Sequence, residues 1–208
     1  NPYLLLSNYG QRTLQNCVEQ GIAIKTLADV LLQIAAALDA LHASGFTHGD
    51  VRPEHILVTP NQQAVLIDLH CAYHLAGQTQ NIPYDAASLA YLSPERIRAG
   101  LLYEDLPHTG ASDYYSLGIT VFQMLSGELP FAEDAPELLV QSHLNDQTPK
   151  LPSHLQAFQG LVDGLLKKEA DQRIACLAEV RDVLGSISGD FQLSRRVIRS
   201  SAIGTQEL

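Results

Sequence analysis

The sequence predicts a mainly α, α+β-type domain: a helical body around one fully buried helix, with a single small β-hairpin whose ends are charged. Three observations carry this. The run DYYSLGITVFQML, from Asp113, is apolar nearly all round, and a helix with no polar face must be buried on every side. The runs ILV at 56–58 and AVLI at 64–67 are separated by TPNQQ, whose Pro-Asn pair signals a turn between two short strands. Three later segments, PELLVQSHL, LQAFQGLVDGLL and LAEVRDVL, each show helical periodicity between Pro- and Gly-containing turns.

In chain order, residues 26–43 place Leu27, Val30, Leu31, Ile34, Leu38 and Leu41 at the recurrence of a helix with one buried face. Gly45 suits its end. The hairpin follows at 56–67, the central helix at 113–125, and the three periodic segments complete the body. From about Gly185 the chain is rich in Ser, Gly and Arg with little periodicity, which predicts a tail or linker. The expected organisation is a short leading segment at 1–10, the domain at 11–186 and a tail at 187–208. No internal repeat is present.

Composition narrows the classes of function. With 208 residues and 46% hydrophobic content the chain can bury one sizeable core. Thirteen basic against twenty-three acidic residues give a formal charge of −10, which disfavours nucleic acid and other polyanions as partners. Cys17, Cys71 and Cys176 are odd in number, far apart and without CxxC spacing. That argues against a disulfide framework or a zinc site and fits a reducing cytoplasm. The longest apolar stretch, 27–43, is interrupted by Asp29, Gln33 and Asp39, so no membrane span is expected. The chain begins at Asn1 directly in an apolar run, as though cut from something longer.

The stretch HASGFTHGDVRPEHILVTPNQQAVLIDLH, residues 42–70, gathers unusual charge around the two strands. Antiparallel pairing of 56–58 with 64–67 sets His55 opposite Asp68. Asp50, five residues before His55, would share that small site. Acidic groups brought together repel unless something positive lies between them, and a divalent cation or Arg52 would answer that need.

HGDVRPEHIL resembles the catalytic loop of eukaryotic-type (Hanks-type) protein serine/threonine kinases, H-R-D-L-K-P-x-N-I-L, and IDLH falls where their D-F-G motif follows a hairpin. ASLAYLSPERI resembles the end of the activation segment, SDYYSLGITVFQMLSGELPF the central helix and its Pro-Phe exit, and KKEADQRI the late Arg-containing motif. The resemblance implies a protein-kinase C-lobe, with the hairpin carrying the catalytic loop. It implies that Asp50 receives or orients the proton of a substrate hydroxyl, Arg52 neutralises the transferring phosphoryl group, and Asp68 holds the metal. It further implies that Ser88 links the peptide-binding loop to Asp50, that Glu95 and Arg173 form a buried ion pair, and that Asp113 anchors the catalytic loop. His48 is expected to be a buried structural histidine; His42, His74, His108, His143 and His154 are expected at surfaces or helix ends.

Several residues depart from the pattern. His55 stands in place of an Asn that offers an amide oxygen to a second metal, and imidazole nitrogen suits Mn or Zn better than Mg. His70 replaces the Gly of D-F-G, and Gly49 replaces the Arg of H-R-D, removing the cation that couples a phosphorylated activation segment to the loop. YLLLSNYG resembles the family's fifth strand and hinge, with Leu6, Ser7, Asn8 and Tyr9 near the adenine-contacting backbone. No glycine-rich loop and no strand lysine occur, so the N-lobe is absent from these residues and the chain alone should hold ATP weakly or not at all. Cys71 is expected to be a small buried residue.

Three functions fit. The chain is the C-lobe of an active serine/threonine kinase using ATP with Mg or Mn on a protein substrate, completed by an N-lobe or neighbouring domains. Alternatively it is a pseudokinase serving as a regulatory or binding module. The third is a metal-dependent hydrolase built on the histidine-rich loop.

Overall fold

The computed structural model describes residues 12–76, 86–102, 104, 106, 109–190 and 197–198. The chain enters through α1 (Leu14–Glu19), a short helix started by a capping box in which Thr13 and Asn16 bond each other's backbone N–H groups. A two-residue strand β1 (Ile22–Ala23) leads into α2 (Ile24–Ala43). Leu27, Val30, Leu31, Ile34 and Leu38 of α2 are all buried to 1% exposure or less, and each side chain taken from water contributes about 1.5–3 kcal/mol.

After β2 (Phe46–Thr47) the chain makes the loop at 48–52, a single 3₁₀ turn at Pro53–His55, and the hairpin of β3 (Ile56–Val58) and β4 (Ala64–Leu66). β5 (Tyr73–His74) returns to pair antiparallel with β2. The segment following the hairpin is thereby tied to the strand that precedes the loop.

The hairpin register is Ile56 with Leu66, Leu57 with Val65 and Val58 with Ala64. His55 is therefore opposite Ile67, whose N–H donates to the His55 carbonyl at 2.9 Å. The expected pairing of His55 with Asp68 is off by one, because the turn at 59–63 sets Val58 opposite Ala64. Asp68 reaches His55 by another route: its φ of 66° turns the chain into the left-handed region, which Asp tolerates better than most residues.

Beyond α3 (Ala86–Leu89), α4 (Pro94–Leu101) begins with Ser93 accepting from the Arg96 N–H and Pro at the first turn. α5 (Ala111–Ser126) is the predicted central helix, buried along nearly all its length. A Cβ on Gly118 would lie 2.8 Å from Leu165 Cβ, so glycine there lets α5 press directly on α7 (Gln159–Leu165). α6 (Pro136–Asn145) and α8 (Leu177–Asp190) complete the body. The architecture is the helical C-lobe with a small hairpin that the sequence predicts.

Two expectations change. α8 continues past Gly185 and buries Ile187, while β6 (Val197–Ile198), within the stretch read as tail, pairs antiparallel with β1. No helix among the described residues is long and apolar enough to cross a membrane.

Candidate active site

The loop between β2 and β3 is held by one buried carboxylate. Asp113, 1% exposed on the first turn of α5, accepts the His48 N–H on Oδ2 and the Gly49 N–H on Oδ1, each at 2.8 Å. His42 Nε2 meets Oδ2 at 2.8 Å. His42 lies in the last turn of α2, at a helix end as expected, and there it completes this anchor.

His48 is fully buried. Its Nε2 donates to the Ile67 carbonyl at 2.9 Å, and its Nδ1 faces the Asp50 N–H at 3.3 Å. One nitrogen donating and the other accepting defines a neutral ring, and burial, outweighing the pull of Asp113, lowers its pKa. The imidazole thus clamps the loop to the end of the hairpin.

Asp50, 3% exposed, is at the centre. His55 Nδ1 donates to the Asp50 carbonyl at 2.9 Å and lies 3.2 Å from Asp50 Oδ2. Because the carbonyl can only accept, the His55 proton sits on Nδ1. The other nitrogen, Nε2, faces Asp68 Oδ2 at 3.5 Å. His55 therefore bridges the two carboxylates that the sequence predicts to converge. Arg52 Nε is 3.8 Å from Asp50 Oδ2 and 3.7 Å from Glu54 Oε2, a cation between Asp50 and Glu54 rather than between Asp50 and Asp68.

Asp68 is more open, its side chain 43% exposed. Its Oδ1 meets His70 Nδ1 at 2.6 Å. Desolvation raises its pKa, but the hydrogen bonds and charge from His70 and His55 outweigh this and hold it below the usual carboxylate range. His70 Nε2 in turn lies 3.1 Å from Cys71 Sγ. In the sequence His70 reads as a bulky replacement for glycine and as one member of the histidine-rich loop, and Cys71 as a small buried residue. Their contact with each other and with Asp68 was missed, and adjacency in sequence is the one signal that could have raised it.

Gly49 also reads differently in three dimensions. Its φ is +83°, and a Cβ there would come within 2.3 Å of the Cys71 carbonyl oxygen. In the sequence, Gly49 in place of Arg removes a cation. The structure adds that no side chain fits while residue 71 packs on the loop.

Ser88 is buried on α3 and its carbonyl accepts the Tyr91 N–H at 3.0 Å. Leu6, Ser7, Asn8 and Tyr9 lie outside the described residues. Further from the loop, Arg173 Nη1 and Nη2 grip Glu95 Oε1 and Oε2 at 2.7 and 2.9 Å. Arg173 also donates to the carbonyls of Lys167, Ala111 and Lys168, while Ser112 donates to Glu95. Burial raises the Glu95 pKa, yet Arg173 more than reverses it, leaving the carboxyl below its ordinary value.

A divalent cation would find a bite at Asp68 Oδ2 and His55 Nε2, whose ring is locked with Nε2 outward by the Asp50 carbonyl. One hard oxygen and one borderline nitrogen suit Mn as well as Mg or better.

Residues 1–183 match the family model described as protein kinase domain. The chain is 29% identical over 190 residues to serine/threonine-protein kinase PknB of Mycolicibacterium smegmatis, covering 86% of this chain and 29% of that protein. It is 36% identical over 154 residues to serine/threonine-protein kinase PknD of Mycobacterium tuberculosis, covering 73% and 20%. Against serine/threonine-protein kinase PknA of Mycobacterium tuberculosis it is 32% identical over 135 residues, covering 64% and 30%. The chain spans less than a third of the length of each of these relatives.

Proposed function

We propose, because the chain belongs to the protein kinase domain family, that it supplies the catalytic C-lobe of a protein serine/threonine kinase. The observation that carries this reading is the convergence of Asp50, His55 and Asp68 at the mouth of a hairpin whose entering loop is bonded twice to Asp113. ATP with Mg or Mn would supply the transferable γ-phosphoryl group and its charge neutralisation.

The chain's own residues do the rest. Asp50 orients the substrate hydroxyl and takes its proton, and its position is fixed from three directions by His48, His55 and the Asp113 anchor. Arg52 offsets negative charge beside Asp50, and Asp68 with His55 holds the cation. Ser88 ties the peptide-binding segment to the loop, and Leu6 to Tyr9 contact adenine. A protein Ser or Thr is the substrate, the chain works in a reducing cytoplasm, and an N-lobe elsewhere in the gene product covers the nucleotide.

The test is transfer of labelled γ-phosphate to a Ser/Thr-containing protein by the full-length gene product, with Mg and with Mn. Asp50→Asn should lower the rate by about 10²–10⁴-fold, the scale of a lost general base. Wild-type rates equal to those of Asp50→Asn would overturn the reading.

A second reading, a pseudokinase used as a binding or regulatory module, draws on the 2.6 Å contact that engages Asp68 with His70. It predicts no transfer with either metal, even where nucleotide binding persists.

A further inference from the structure

We infer that Asp50, His70 and Cys71 form a binding site for a soft divalent cation of the zinc class, distinct from the Asp68–His55 pair. One carboxylate oxygen, one imidazole nitrogen and one sulfur lie within 4.8 Å of one another. Cys71 Sγ and His70 Nε2 are 3.1 Å apart. Two such ligands on a tetrahedral ion, with bonds of about 2.3 Å to sulfur and 2.0–2.1 Å to nitrogen, stand roughly 3.5 Å from each other, so a small outward shift admits the ion.

Two further features favour this site. The first is the orientation of His70. Asp68 Oδ1 holds its Nδ1 at 2.6 Å, which leaves Nε2 for a metal in the carboxylate–histidine arrangement that fixes and strengthens metal-binding imidazoles. The second is Gly49. A Cβ there would be 2.3 Å from the Cys71 carbonyl oxygen and 3.0 Å from its carbon, a distance real Cβ atoms do not reach. The absent side chain is what brings Cys71 down beside Asp50.

Asp50 and Cys71 are 3% and 4% exposed, whereas the His70 side chain is 58% exposed. A buried carboxylate and sulfur under an exposed imidazole provide both a dry site and an entry path. The mixed S, N, O set selects zinc-like ions over Mg. On binding, Cys71 releases its thiol proton to solvent and coordinates as thiolate. With its carboxylate on the ion, Asp50 cannot receive a hydroxyl proton, so the site would switch off phosphoryl transfer. That consequence rests on the kinase reading; the binding does not.

Cobalt(II) alone, added to the metal-free chain, is the probe. Wild type should show a near-ultraviolet sulfur-to-cobalt charge-transfer band that one equivalent of zinc removes. Cys71→Ser and His70→Asn should each abolish the band, Asp68→Asn should weaken cobalt binding by about 10–100-fold, and Cys17→Ser and Cys176→Ser should retain it. Circular dichroism of each variant separates loss of metal from loss of fold, and His70→Asn, on the exposed side, carries the test if Cys71→Ser does not fold. No sulfur band, or one unchanged in Cys71→Ser and His70→Asn, would leave a thiol–imidazole hydrogen bond only and overturn the site. In the full-length protein zinc should inhibit transfer by wild type and spare Cys71→Ser. An intact cobalt spectrum in a protein without transfer would instead count against the kinase reading alone.

Discussion

The Glu95–Arg173 pair and the Asp68–His70 pair are both carboxylates against nitrogen bases, yet they are held very differently. Arg173 has 0% side-chain exposure and five hydrogen bonds for its five N–H groups. Asp68 and His70 are 43% and 58% exposed, and Asp68 stands in left-handed backbone. The first pair fastens the helical body and keeps the residue types of the kinase pattern. The second faces outward beside Asp50 and departs from that pattern at His55, His70 and Gly49. A scaffold so fully determined can keep its fold while the residues at its open edge change chemistry.

The largest effect that would break this contrast lies in the scaffold. Arg173→Ala leaves Glu95 buried without its partner and should cost about 3–5 kcal/mol, read by urea or thermal unfolding. His70→Ala, by contrast, should leave stability nearly unchanged. Equal losses in the two variants would show that the regions are not held differently.

Next comes an acid response from the body. His143 is fully buried, with Nδ1 3.0 Å from the Tyr115 hydroxyl, and burial, assisted by the charge of Lys168, lowers its pKa to about 3. The unfolded chain takes up a proton near pH 6.5, whereas the folded one does so only near 3. Stability should therefore be fully present above about pH 6.5 and fall as the pH drops towards 3, by on the order of a few kcal/mol. His143→Gln should flatten that slope; a slope identical to wild type would remove His143 as its source.

Smaller again is the loop anchor. Asp113→Asn keeps one acceptor oxygen but turns an amide N–H₂ toward a backbone N–H, at a cost of about 1–3 kcal/mol. If the kinase reading holds, transfer should fall with it through displacement of Asp50, with little change in nucleotide binding. Unaltered stability and transfer would show that the two Asp113 hydrogen bonds do not position the loop.

The sequence made the scaffold legible because its signals are local or strongly periodic. The all-apolar run from Asp113 is the buried α5, the 56–67 hairpin is present, and Glu95 and Arg173 meet although 78 residues apart. What escaped depended on backbone angles and close approach. The one-residue offset at His55 followed from the length of the turn between the strands, and Asp68 recovers the contact only through its left-handed turn. His143 does lie in the last turn of α6, one of the two placements expected of it, but it is not at a surface: the ring is enclosed by Tyr115 and Phe131. The short helices α1 and α3 span six and four residues, too few for a periodic signal. The contact of Gly49 with Cys71 had no sequence signature, since it joins a left-handed loop residue to a segment beyond the hairpin.

The most direct measurement compares Mg- and Mn-supported phosphoryl transfer by the full-length protein, wild type against His55→Asn. His55 Nε2, locked toward Asp68 Oδ2, is where the kinase-pattern scaffold meets altered chemistry. The account predicts faster transfer with Mn than with Mg in wild type, and a rise in Mg-supported transfer of about tenfold in His55→Asn, a change on the scale that altered metal surroundings produce. Equal rates with the two ions in wild type, unmoved by His55→Asn, would contradict it.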